Sequence, residues 1–164
     1  FPKRAPTSAP PRESLQGVLQ GGFNMGTLER LQNAVCEILS GINDLKFACV
    51  RLQNDFSDAE GSAEGLEIKV LRPIPLSASK YAAGPTFSDV ELRVETIRSK
   101  FAAPNAPSLL TACEIVSRAL HGANAPLECG YGRIALSESS PWKEESESQS
   151  DKITIRFRVQ SVLQ

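Results

Sequence analysis

Apolar residues recur at Leu28, Leu31, Val35, Ile38 and Leu39, in steps of three and four that place them on one face of a helix. Thr27 stands where an N-cap belongs and Gly41 where a helix stops, so the pattern predicts a helix over residues 27–40. A second stripe, Leu109, Ala112, Cys113, Val116, Ala119 and Leu120, follows the capping residue Ser108 and ends at Gly122. It predicts a helix over 109–121.

Elsewhere the period changes to two. LKFACVRL, residues 45–52, is too short for a comfortable helix and rich in β-favouring side chains, which predicts a strand. In LEIKVLRPIPL, Leu66, Ile68 and Val70 share one face against Glu67 and Lys69. Pro73 and Pro75 cannot donate to a ladder, so this strand bends, ends or lies at an edge there. VELRVETI resumes the alternation, with Val90, Leu92 and Val94 inward and Glu91, Arg93 and Glu95 outward. The two segments predict a hairpin whose long tip is SASKYAAGPTFSD. CGYGRIALSES and DKITIRFRVQSVL supply the last strands, the final one with Ile153, Ile155, Phe157 and Val159 inward and Thr154, Arg156, Arg158 and Gln160 outward.

The order α-β-β-β-α-β-β, with hairpins in place of alternating βα units, predicts an α+β fold: a mostly antiparallel sheet with two helices on one face. Outward Glu67, Lys69, Glu91, Arg93, Glu95, Arg156 and Arg158 then share the opposite face. A one-residue slip would bury that charged set, so the register is strongly specified.

Residues 1–24 have a different texture, with Pro2, Pro6, Pro10 and Pro11 followed by Gly17, Gly21 and Gly22, and read as an arm or leader outside the fold. Such an arm could order on a neighbouring subunit. Residues 25–164 form the single domain, opening at Met25, the sole methionine. A chain of 164 residues buries roughly 70% of the surface its unfolded form exposes, enough for a core without staples.

Composition narrows function mainly by exclusion. A formal net charge of -1 with 23% charged residues lacks the dense basic surface that phosphate binding needs, so specific nucleic-acid binding is not expected. No apolar run approaches the roughly 20 residues needed to span a bilayer. Cys36, Cys49, Cys113 and Cys129 lie far apart with no CxxC spacing, which predicts buried, reduced thiols and a cytoplasmic setting.

Candidate chemistry is sparse. His121, the single histidine, closes the second helix, where a capping role is expected, and Cys113 lies two helical turns from it, too far for a Cys-His pair along one helix. Gly130-Tyr131-Gly132 lacks a third glycine and a phosphate-cradling helix, and predicts a bulge or twisted strand start. Asp55 with Asp58, and Glu144 with Glu145 and Glu147, lie in polar loops without the apolar setting that raises a carboxyl pKa, and the 144–151 run lacks the glycine turn of an EF-hand. No enzyme activity, cofactor or metal is expected. Trp142, beside Pro141 where a hairpin loop is expected, either folds back onto the domain or is offered to a partner.

Taken together, GTLERLQNAVCEIL, LEIKVLRPIPL, FSDVELRVETI, SLLTACEIVSRALHG and ITIRFRVQSVL form a run of elements that resembles small tail proteins of long-tailed phages and prophages, of the tail-terminator or tail-completion type. The resemblance covers residues 25–164 and rests on pattern and element order. It implies a structural virion protein, found in the virion or the bacterial host cytoplasm. Copies would close into a ring, typically a hexamer, that caps the tail tube and meets the head connector. Under that resemblance the interface candidates are Lys80, Tyr81 and Phe87 at the first hairpin tip, and Trp142, Glu144, Glu145 and Glu147 in the 139–151 loop, the carboxylates suiting a lumen that conducts DNA. The alternative is a non-viral α+β interaction module. In either case the acidic run is expected to be a long loop whose tryptophan orders against a neighbour.

Overall fold

A computed structural model describes residues 26–53, 65–80 and 86–162. The arm at 1–24 and Tyr81 lie outside the described residues.

Helix α1 (Thr27–Ser40) turns Leu31, Val35 and Leu39 into the core. Its N-cap is Gly26 and makes no side-chain capping bond, so Thr27, expected as the cap, is instead the first helical residue. Helix α2 (Leu109–Leu120) starts as expected: the Ser108 hydroxyl accepts from the Thr111 N–H at 3.1 Å. Its buried face carries Ala112, Cys113, Val116 and Leu120.

Seven strands form one sheet among the described residues: β1 (Cys49–Leu52), β2 (Leu66–Val70), β3 (Ile74–Ala78), β4 (Phe87–Ser99), β5 (Tyr131–Leu136), β6 (Trp142–Ser146) and β7 (Ser150–Ser161). Long antiparallel β4 and β7 make the spine, with Val90, Leu92 and Val94 opposite Val159, Phe157 and Ile155. Each spine strand is flanked by two short ones. β2 and β3 occupy successive lengths of the free side of β4, while β6 and β5 do the same for β7. β1 adds to β2 in parallel, and every other pairing is antiparallel. Helix α1 packs against β1 and β2, helix α2 against β4, β7 and β5, and the two helices touch each other. The α+β class and the one-sided helices therefore agree with the sequence pattern.

Two details depart from expectation and a third sharpens it. The segment at 45–52 divides into a 3-10 turn (Asn43–Leu45), which buries Leu45, and a shorter strand at 49–52. The hairpin expected from residues 66–97 forms with its first arm split in two, at the prolines that predict a bend, an end or an edge there: the chain leaves the sheet at 71–73 and re-enters as β3, an edge strand containing Pro75 with a bulge beside it. Proline tolerates that edge because no further strand among the described residues needs its missing N–H. Last, the acidic run is not a loop. Residues 142–146 form β6, paired to 151–155 of β7 through a short turn closed by the Glu147 N–H to the Ser150 carbonyl at 2.8 Å.

Side chains from every layer meet in one core that includes Leu31, Ile68, Leu92, Val116, Ile134 and Phe157, all fully buried. Burial of each such side chain favours folding by about 1.5–3 kcal/mol. Polar groups close the periphery of this core. The Gln32 amide, 6% exposed, donates to the carbonyls of Gln53 at 3.0 Å and Val70 at 2.9 Å, tying α1 to the ends of β1 and β2. Arg98 donates to the carbonyls of Pro107, Ala103 and Ala106, fastening the loop that leads into α2 to the end of β4. At Gly130 the chain takes φ 80° to leave the Leu127–Cys129 3-10 turn, and the β5–β7 register shifts between Tyr131 and Ile134. The Gly-Tyr-Gly stretch is thus a bulged strand start.

Candidate functional site

With both helices on one face, the other face of the sheet is a charged surface. Alternation along β2, β4 and β7 sends Glu67, Lys69, Glu91, Arg93, Glu95, Lys152, Arg156 and Arg158 to it, as the pleat requires. Register then decides the pairing. Arg156 Nε donates to Glu91 at 2.7 Å, Arg158 holds Asp89 with both Nε and Nη2, and Arg51 donates to Glu67. Lys152 gathers Glu95 at 3.2 Å, Glu145 at 3.3 Å and Glu147 at 3.9 Å. Burial lowers the Lys152 pKa, but bonds to and charges on Glu95 and Glu145 outweigh it and raise the ammonium above its ordinary value. Cross-strand ion pairs of this kind contribute about 0.2–1 kcal/mol each, so their main effect is to fix register.

The two groups of residues expected at an interface lie apart. Lys80 is exposed just beyond β3, and Phe87 opens β4. Phe87 is half-buried against the core and its carbonyl accepts from the Tyr131 hydroxyl at 3.2 Å, so it is a packing residue. β6, on the far side of the spine and at its opposite end, carries the other group. Trp142 faces the helices across from Ile155, packs on the core and donates its indole N–H to the Ser117 hydroxyl on α2 at 3.1 Å. Of the two roles open to it in the sequence, the fold gives it the inward one. Glu145 and Glu147 are engaged by Lys152, whereas Glu144 is exposed with no cation in salt-bridge contact among the described residues. Lys152 is shared with Glu95, so the acidic cluster is partly compensated and keeps a net negative charge.

Neither a protein-family model nor a curated protein matches this chain.

Among the described residues no group of three or more His, Cys, Asp or Glu side chains could hold a metal ion, and no helix is long and apolar enough to cross a membrane. His121 has a structural partner: its Nδ1 accepts from the Leu136 N–H at 3.0 Å, joining the end of α2 to β5. All four cysteines are free thiols, with Cys113 and Cys129 buried. Burial is the main influence on Cys113, raising its pKa from 9.0 to about 11; the Thr96 hydroxyl lowers it and Glu144 raises it further. A thiol whose pKa is higher folded than unfolded adds stability below the unfolded value and loses it as pH rises through the folded one. Unfolding free energy should therefore fall between about pH 9 and 11, and Cys113→Ala should flatten that part of the profile. Thiol labelling at pH 8, read by peptide mass, should leave Cys113 unmodified until the protein is unfolded; rapid native-state labelling would contradict this.

Sequence reasoning missed one member of this surface and the isolation of another. Lys152 was not singled out, although its place at the head of the ITIRFRV alternation puts it on the outer face. Arg93 was assigned outward, but its lack of a carboxylate partner depends on which residues the register brings opposite it.

Proposed function

We propose that this chain is a structural subunit of a phage or prophage tail, of the tail-terminator type, which caps the tail tube as a homo-oligomeric ring and joins it to the head connector. The observation that supports this reading is the condition of the two sheet sides. On one side β3 is exposed along its whole length, with Ile74 at 38% and Leu76 at 51%, and runs into exposed Lys80. On the other, β6 presents an open edge bearing Glu144, Glu145 and Glu147 near it. Exposed edge strands are templates for pairing with another chain, and edges of unlike charge favour head-to-tail contact, the heterologous arrangement that closes into rings.

Leu76→Asp places a charge on the apolar edge without disturbing the core. It is expected to weaken each subunit contact about tenfold or more, seen as a fall in mass by sedimentation velocity while the thermal midpoint of the subunit is unchanged. Capping of purified tail tubes should be lost in parallel. A parent protein that stays monomeric at high concentration and fails to cap tubes would reject the ring. The interaction-module reading would then stand, with Phe101 and Leu127, 80% and 81% exposed, as its docking residues.

A further inference from the structure

At the centre of the outer face the register sets Arg93 of β4 directly opposite Arg156 of β7. Like charges facing each other across a ladder are destabilising, so such a pair calls for a compensating charge. Arg156 has one: its Nε donates to Glu91 at 2.7 Å and its Nη1 to the Ser140 carbonyl at 3.0 Å. Arg93 has none. Its one hydrogen bond goes from Nη2 to the Arg72 carbonyl at 3.2 Å, and no carboxylate is in salt-bridge contact with it among the described residues. Its Nε is buried with no hydrogen-bond partner. A guanidinium carries five donors, and leaving a buried one unmet is costly enough that native structures rarely do it.

Arg93 lies in an open groove of about 440 Å³. Lys143, Thr154 and Arg156 line it too, as do the carboxylates of Glu91, Glu95 and Glu145. Each of those carboxylates is already engaged: Glu91 by Arg156, and Glu95 and Glu145 by Lys152 at the end of the groove. Lys143 also reaches Glu145 at 3.9 Å. Counting Glu147, which also reaches Lys152 at 3.9 Å, four carboxylates balance four cations here, so what sets Arg93 apart is its unmet donors and not a surplus of charge. The planar fork of a guanidinium matches a carboxylate or phosphate in geometry.

We propose that this groove binds a small oxyanion or carboxylate, held by the Arg93 guanidinium beside Arg156. The site is independent of the tail reading, because it rests on register and unmet donors within one subunit. Its ligand can be a free anion or an acidic side chain from a second copy, and these share the same chemistry.

The test follows the arginine Nε–H signals of the ¹⁵N-labelled full chain while inorganic phosphate, or in a second series acetate, replaces chloride at constant ionic strength. The Arg93 signal, assigned by its absence from Arg93→Gln, should shift along a saturable curve, whereas the response should survive in Arg133→Gln. At ten times the dissociation constant the anion should raise the thermal midpoint by about 3–6 °C, and Arg93→Gln should abolish the rise. A dilution series without added anion separates the sources: a concentration-dependent Arg93 signal identifies a second copy's carboxylate, and one that moves only with phosphate or acetate identifies a free anion. An Arg93 signal that does not move in any of these series, or that moves without saturating, overturns the proposal. So does a thermal response retained in a folded Arg93→Gln. Should that variant fail to fold, assigning the signal through the backbone lets the parent titration decide alone.

Discussion

Trp142→Ala is expected to destabilise the protein by about 2–4 kcal/mol, toward the lower part of the range for large aromatic deletions because the indole is only half-buried. The loss has two parts. Packing of the ring against the core between β6 and α2 disappears, and the Ser117 hydroxyl, on a residue 8% exposed, loses its 3.1 Å partner. Trp142→Phe should keep most of the packing and cost about 1 kcal/mol for the missing N–H bond. Thermal unfolding followed by circular dichroism measures both. Because Trp142 is the sole tryptophan, its emission should also shift to the red on unfolding in the parent. A Trp142→Ala protein with an unchanged midpoint but reduced self-association would return the residue to the interface role.

Phe157→Ala should have a larger effect, about 3–5 kcal/mol, enough to leave a marginally stable domain substantially unfolded at physiological temperature. Phe157 is fully buried on the central strand β7, paired with Leu92 on one side and Leu136 on the other. Neighbours on three strands cannot collapse together to fill the space the ring leaves. Phe157→Leu fills most of it and should cost no more than about 1.5 kcal/mol. Urea unfolding distinguishes the cases through the midpoint, with the slope unchanged. A shift of under about 0.5 kcal/mol for the alanine variant would mean that β7 is not at the centre of the core.

These two residues show where sequence reasoning succeeds. Phe157 sits in ITIRFRV, where period-two alternation alone assigns it inward, and the helical stripes at 28–39 and 109–120 are equally local signals. Trp142 sits in WKEESESQSD, whose acidic and serine-rich composition favours a loop. Its strand exists because β7 extends past the end of β5 and offers Asp151 to Ile155 as a template, and because Lys152 sits opposite Glu145 and pairs with it. Neither condition is visible in the local residues. The same holds for β3, where Ile74 to Ala78 joins the sheet only because β4 is long enough to accept a second partner beyond β2.

By itself, then, the sequence determined the class of the fold, both helices, the inward face of the spine and most of the charges on the outer face. All of these follow from the side-chain period of a helix or strand, a property of a few neighbouring residues. Tertiary structure alone decided which charges meet. Register placed Glu91 with Arg156 and Asp89 with Arg158, gave three carboxylates to Lys152, and left Arg93 facing another arginine without a carboxylate. Pairing across strands joins residues more than sixty positions apart, and no local pattern encodes which of them end up within hydrogen-bond reach.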